Sequence, residues 1–258
     1  MLLHSLYAFV SFSAIASAVY ILNDYLDIEE DRKHPKKKYR PLASGKVSKV
    51  KAKFTFILLI VFGGGLMYNQ AKEALVVLLA YIVINIAYCF SLKHIAIIDI
   101  TSIAIGFVLR LFIGSLVNDV LLSKWIVIMT FLLALFLALA KRRDDVMHFI
   151  NTGKKMRKVI DGYNLKFIDS CMMVMASVVI VAYIIYTATA EVFGGHTHSE
   201  HLYLTSVFVI IGVMRYMQIT FVEQNSGSPT EILLSDKFTV MNMLSWIVSF
   251  VYIIYLEV

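Results

Sequence analysis

Eight stretches of this chain are apolar for long enough to cross a bilayer, and no other feature limits its fold as tightly. Between charged breaks they cover residues 2–22, 51–68, 74–90, 96–117, 124–140, 167–189, 202–220 and 238–257. A hydrocarbon core of about 30 Å takes roughly 20 residues of helix to span. Backbone polar groups in lipid have to be paired within a helix or a closed barrel, and continuous rather than alternating apolar runs select the helix. With 59% hydrophobic and 16% charged residues, little remains for a soluble domain. The expected fold is all-α: a polytopic bundle in which residues 1–258 form one integral-membrane domain. SAIASA in the first run imitates a signal-peptide cleavage site, but no basic segment precedes it and VYIL prolongs the run, so it reads as a retained span.

The loops differ sharply in charge. Ten Lys or Arg fall in 23–53 and eight in 141–166. With Lys93 and Lys237 on the same side, twenty basic residues lie inside against Lys72 and Lys124 outside, the asymmetry of cytoplasmic loops. Both termini are then expected outside. Cys89 and Cys171 sit in apolar runs as small hydrophobes, and imply neither disulfides nor a metal cluster.

The first span stops at NDYLDIEEDRKHP, residues 23–35. If helix continues through it, three- and four-residue spacing puts Asn23, Asp24, Asp27 and Asp31 on one face. Oxygen ligands packed this closely repel one another unless a cation joins them, and they suit magnesium or calcium rather than zinc. Magnesium commonly shares one or two carboxylates with a substrate's phosphates. The basic run after the motif supplies the complement, Arg in bidentate geometry above all.

The NDxxDxxxD pattern, followed by HPKKKYRPLASG at 34–45, resembles the UbiA superfamily of intramembrane prenyltransferases. The likeness continues in YCFSLKHIAIIDI (Tyr88, Lys93, Asp99) and GFVLRLFIG (Gly106, Arg110, Gly114), so it covers most of the chain. It implies a bundle of nine spans around a cavity open to the acidic motif and to lipid. The eight spans here match that plan without its first helix, because the acidic motif follows the first span instead of the second.

A second aspartate motif, about DxxxD, is implied after the fifth or sixth family helix. Here ALAKRRDDVMHF stands in its place, and adjacent Asp144 and Asp145 point about 100° apart on a helix and cannot chelate together. A basic cluster replaces a metal pair, which suits a donor with more phosphate and fewer metals. Together with GSPTEILLSDK at 227–237, this resembles the polyprenyl-phosphate phosphoribosyltransferase branch. The resemblance implies transfer of 5-phosphoribose from phosphoribosyl pyrophosphate to a polyprenyl phosphate, in a bacterial inner membrane with the active-site loops cytoplasmic. Asp24, Asp27 and Asp31 are the implied catalytic residues, and with Asn23 they would hold Mg2+ on the leaving pyrophosphate. Arg40, Lys141 and Arg142 are candidates for the 5-phosphate or pyrophosphate, and Lys93 for the acceptor phosphate. No nucleic-acid partner is expected.

Asp99 and Arg110, eleven residues apart, face nearly the same way on one helix and should point into the bundle. Arg110 is a candidate phosphate contact or cavity lining, with a structural ion pair as the alternative. Asp169 and Arg215 either line the cavity or site, or simply pair or snorkel. GGHTHSEH reads as a polar turn and not a metal site, and GGG at 63–65 as a point of close helix approach. Two other readings stand beside the leading one. A prenyl transfer to an aromatic acceptor lacks its second DxxxD. A transporter would place its charges near the midplane, often within repeats.

Overall fold

The structure, a computed structural model, describes residues 2–33, 37–155, 157–189, 197–225 and 229–255. Among these residues there are ten α-helices, short 3-10 turns and no strand. Eight helices are long and apolar enough to cross a membrane, where the apolar runs predict them. The chain divides into two compact units, Met1–Leu122 and Ser123–Val258.

The first unit holds α1 (Leu2–Leu26), α2 (Ile28–Lys33), α3 (Lys49–Gln70), α4 (Lys72–Phe90) and α5 (Ile98–Asn118). Ser48 caps α3 by accepting the Lys51 N–H, which satisfies one of the donors a helix start leaves open. With almost no hydrophobic drive between helices in lipid, close packing and interhelical hydrogen bonds have to hold them. Gly63 provides both between α1 and α3. Its missing side chain lets Ile15 and the Ser11 carbonyl approach, and the Ser11 hydroxyl donates to the Gly63 carbonyl at 2.6 Å. Nothing crowds Gly64 or Gly65, so only the first glycine of GGG makes the approach. Ile15, Val19, Met67, Ala74, Leu78, Tyr81 and Ile113 close the core of this unit.

The second unit holds α6 (Lys124–Thr152), α7 (Leu165–Ala188), α8 (Ser206–Phe221), α9 (Pro229–Ser235) and α10 (Lys237–Tyr255). The fifth apolar run was expected to end at 140, but helix α6 continues to Thr152 and stops at Gly153, whose φ of 68° forms a left-handed cap. KRRDD is therefore helical. Buried hydroxyls tie α7 to α10. Thr205 donates to the Leu202 carbonyl, so at the 2.8 Å contact between Tyr183 and Thr205 the tyrosine donates, while Tyr183 accepts from the Trp246 indole N–H at 2.7 Å.

Both span charges left open by the sequence are paired. Asp169 takes Arg143 at 2.8 Å. Arg215 grips Asp236 with two nitrogens, at 3.1 and 2.8 Å, and also meets Glu223 at 2.9 Å. Asp236 accepts the backbone N–H of Thr239 as well, which caps α10. Hydrogen bonds from Arg215 and then Thr239 hold the Asp236 carboxyl well below the usual carboxylate range.

Candidate active site

The acidic motif is nearly continuous helix. Asp27 is a turn between α1 and α2, yet its N–H donates to the Asn23 carbonyl at 3.0 Å and the Asp31 N–H donates to the Asp27 carbonyl at 2.8 Å. Four-residue spacing therefore survives the junction. The segment after it folds back for an apolar reason: Leu42 joins Ile28 and Ala52 in a small buried cluster, with Ile21, Tyr25 and Val47 packed around it. Arg32 Nε donates to the Ala43 carbonyl at 3.1 Å, and Gly45 turns the chain at φ 79°. RPLASG is thus a clasp that carries Arg40 to the acids.

One nitrogen of Arg40, Nη1, donates to Asp24 Oδ1 at 2.8 Å and to Asp31 Oδ2 at 2.9 Å. Lys93 comes from the 3-10 turn Leu92–His94 and donates to Asp27 Oδ1 at 2.6 Å. Asn23 Oδ1 faces the Cys89 thiol at 3.8 Å, a weak contact. The tetrad expected from spacing is therefore two ion-paired sets, Asp24 and Asp31 on Arg40 and Asp27 on Lys93. Among the described residues no three Asp, Glu, His or Cys are gathered for a metal. The donor chemistry still fits magnesium, because Asp24 and Asp31 already converge on one cationic atom with oxygens alone. A metal of this kind normally takes one or two carboxylates and fills its shell from phosphates and water.

Beside this lies a cavity of about 360 Å3 lined by Leu26, Asp27, Glu29, Glu30, Cys89, Phe90, Lys93 and His94. Sequence reasoning missed Glu29, Glu30 and His94. The adjacency of His94 to Lys93 was the available signal.

Arg110 is not brought to the acids. Its guanidinium lies 4.9 Å from the Phe12 ring centroid, 5.2 Å from Phe107 and 5.9 Å from Tyr81, and Nη2 donates to the Tyr81 hydroxyl at 3.4 Å. Phe12 precedes Asp24 by twelve residues of α1, about 18 Å of helix at 1.5 Å per residue. Three ring faces border this arginine within the span and stabilise a cation that lipid cannot, yet Arg110 itself is exposed and not buried as Asp99 is. Asp99, in the first turn of α5, is fully buried as expected.

In the second unit, Arg142 is 2% exposed, with Nη1 at 2.8 Å from Asp145 Oδ2, an oxygen that Arg157 Nε also reaches at 3.3 Å. Arg143 is structural. Besides Asp169 it donates to the Thr220 carbonyl at 2.8 Å and lies over Phe221. Lys141 is exposed. His196 falls outside the described residues.

The family model of the UbiA prenyltransferases matches residues 2–255. The chain belongs to this family. As a UbiA-family member it is a membrane transferase. Curated relatives sharpen the comparison: the chain is 30% identical over 246 residues to decaprenyl-phosphate phosphoribosyltransferase of Mycolicibacterium smegmatis, covering 93% of this chain and 77% of that protein. It is 30% identical over 258 residues to the protein of the same name from Corynebacterium glutamicum, covering 96% and 75%. Among solved structures, a UbiA homolog from Archaeoglobus fulgidus bound to GPP and Mg2+ superposes with a TM-score of 0.72 at 18% identity, over 98% of this chain and 88% of that one. Its complex with DMAPP and Mg2+ gives 0.71, over 100% and 89%. These structures share the UbiA fold with this chain.

Proposed function

We propose that this UbiA-family protein transfers 5-phosphoribose from phosphoribosyl pyrophosphate to a polyprenyl phosphate and releases pyrophosphate, with Mg2+ as its cofactor. The observation that carries the reading is 30% identity with decaprenyl-phosphate phosphoribosyltransferases across nearly the whole chain. It is supported by the helical KRRDD on α6 in place of a second aspartate pair. The active-site loops are assigned to the cytoplasmic side of a bacterial inner membrane, on the strength of their basic residues.

Magnesium, when bound, draws off the charge that develops on the departing pyrophosphate. Asp24, Asp27 and Asp31 would hold it, with Asn23 as a neutral neighbour. Arg40 meets the donor's phosphates and Lys93 the acceptor phosphate. Lys141 and Arg142 supply the further positive charge suited to a donor richer in phosphate than a prenyl diphosphate. The acceptor phosphate is anionic near neutral pH, so no strong base is required. These side chains work by orientation and by charge fixed in advance.

The test follows pyrophosphate release from phosphoribosyl pyrophosphate by the detergent-purified chain, with magnesium and a polyprenyl phosphate. Release that needs both, with a phosphoribosylated lipid appearing in step, is expected. No such product, and instead prenylation of an aromatic acid from a prenyl diphosphate, would reassign the donor.

A further inference from the structure

The ion pairs at the acidic motif say something about how metal and phosphate are admitted, given the proposed reaction. Asp24, Asp27 and Asp31 are each engaged by a protein cation. The pairs differ in cover: the Asp31 side chain is 4% exposed and Lys93 and Asp27 are 10% and 20% exposed, whereas Arg40 and Asp24 are 35% and 26% exposed. A metal ion approaching these oxygens meets most of their charge already offset, because three carboxylates facing two cations leave one net negative charge in this set of five. Taking a further divalent ion without moving Arg40 or Lys93 would gather three cations on three carboxylates, in surroundings where like charges are poorly screened.

We propose that Arg40 and Lys93 act as exchangeable counter-ions, which give up the carboxylates to magnesium only when phosphate is present to receive them, the diphosphate for Arg40 and the acceptor phosphate for Lys93. Diphosphate brings the missing negative charge, so Arg40 swings from Asp24 and Asp31 to the diphosphate as the metal takes its place, and Lys93 is released from Asp27 toward the acceptor. The exchange needs little rearrangement. Arg40 sits on a clasp fixed by Leu42 and Ala43 rather than by its own ion pairs, and Lys93 borders the cavity beside Asp27. Metal and diphosphate therefore bind as a coupled pair, and metal alone binds weakly. A bare acidic cluster has the opposite property and collects divalent ions unaided.

Mn2+ binding to the purified chain in detergent, followed by electron paramagnetic resonance with and without pyrophosphate, tests this directly. Wild-type protein is expected to bind Mn2+ at least about tenfold tighter when pyrophosphate is present, within the usual range of coupling between two ligands. Arg40→Gln is expected to bind Mn2+ alone about tenfold tighter than wild type and to lose most of the enhancement by pyrophosphate. Asp31 is buried against Arg40, so Lys93→Gln serves as a second variant at the more open Asp27 pair, with a change in the same direction. Mn2+ affinity that ignores pyrophosphate in wild type, or variants that bind Mn2+ alone no better, would overturn the exchange. The two proposals fail separately. A prenyl diphosphate donor would leave the pyrophosphate coupling intact while abolishing phosphoribosyl transfer, whereas phosphoribosyl transfer without coupling would remove the exchange alone.

Discussion

A Cβ added at Gly63 would lie 2.8 Å from both the Ser11 carbonyl and Ile15 Cγ1, whereas one added at Gly64 meets nothing within 4 Å. The two neighbours should therefore respond oppositely to alanine. Gly63→Ala is expected to cost about 1–3 kcal/mol through overpacking against backbone, and Gly64→Ala to gain up to about 1 kcal/mol of helix propensity. Thermal denaturation in detergent separates them. Arg143→Met should destabilise by about 2–3 kcal/mol, below the 3–5 of a fully buried pair because Asp169 keeps 32% of its side chain exposed and water screens it. Asp27→Asn removes a carboxylate and leaves Lys93 facing an amide, so turnover should fall by about two orders of magnitude or more, well beyond what the accompanying loss of a largely covered ion pair takes from stability. Activity near wild type in the pyrophosphate assay would remove Asp27 from the machinery.

At the level of elements, the turn between α4 and α5 holds Lys93 through an unusual backbone. Ile97 has φ 71°, a value that costs a β-branched residue about 1–3 kcal/mol, and its side chain is 54% exposed. Ile97→Gly should thus stabilise the fold by about 1 kcal/mol. The junction of α8 with α10 gives a prediction against pH. The Asp236 carboxyl is held well below its ordinary 3.8 by Arg215 and Thr239, so its contribution is complete above that ordinary value and fades only as pH falls further. Melting temperatures of wild type and Asp236→Asn should differ by a constant amount from pH 8 to pH 5 and converge only in stronger acid. Elements of this kind mark what the sequence could and could not reveal. Apolar runs announce spans because lipid leaves the backbone no alternative, whereas spacing of three and four did not reveal that Asp27 would pair with Lys93 apart from Asp24 and Asp31 on Arg40. Nothing local in RPLASG says that Leu42 will find Ile28 and Ala52, so the return of Arg40 to Asp24 and Asp31 was hidden in a contact between distant positions. Arg110 was illegible for a related reason: a charge inside a span announces neither its depth nor its exposure, and here it sits exposed beside the Phe12 ring.

Across the whole molecule, the distribution of charge predicts sidedness. Single cysteines placed at Lys46 and at Lys154 should react with a membrane-impermeant maleimide in inside-out vesicles and stay protected in intact cells; labelling of both in intact cells would invert the topology. The 29 residues of α6 extend about 43 Å at 1.5 Å per residue, well past a hydrocarbon core of about 30 Å. The cations at 142 and 143 are thus mounted on a rigid shaft driven from within the bilayer. Their bearing is set by how many residues the membrane segment contains, since each residue turns the shaft by about 100°. Losing one residue anywhere in the lipid-embedded half would rotate Arg143 away from Asp169 and send a different side chain toward it. In this part of the molecule, the gearing of a helix inside the membrane decides which charge meets Asp169.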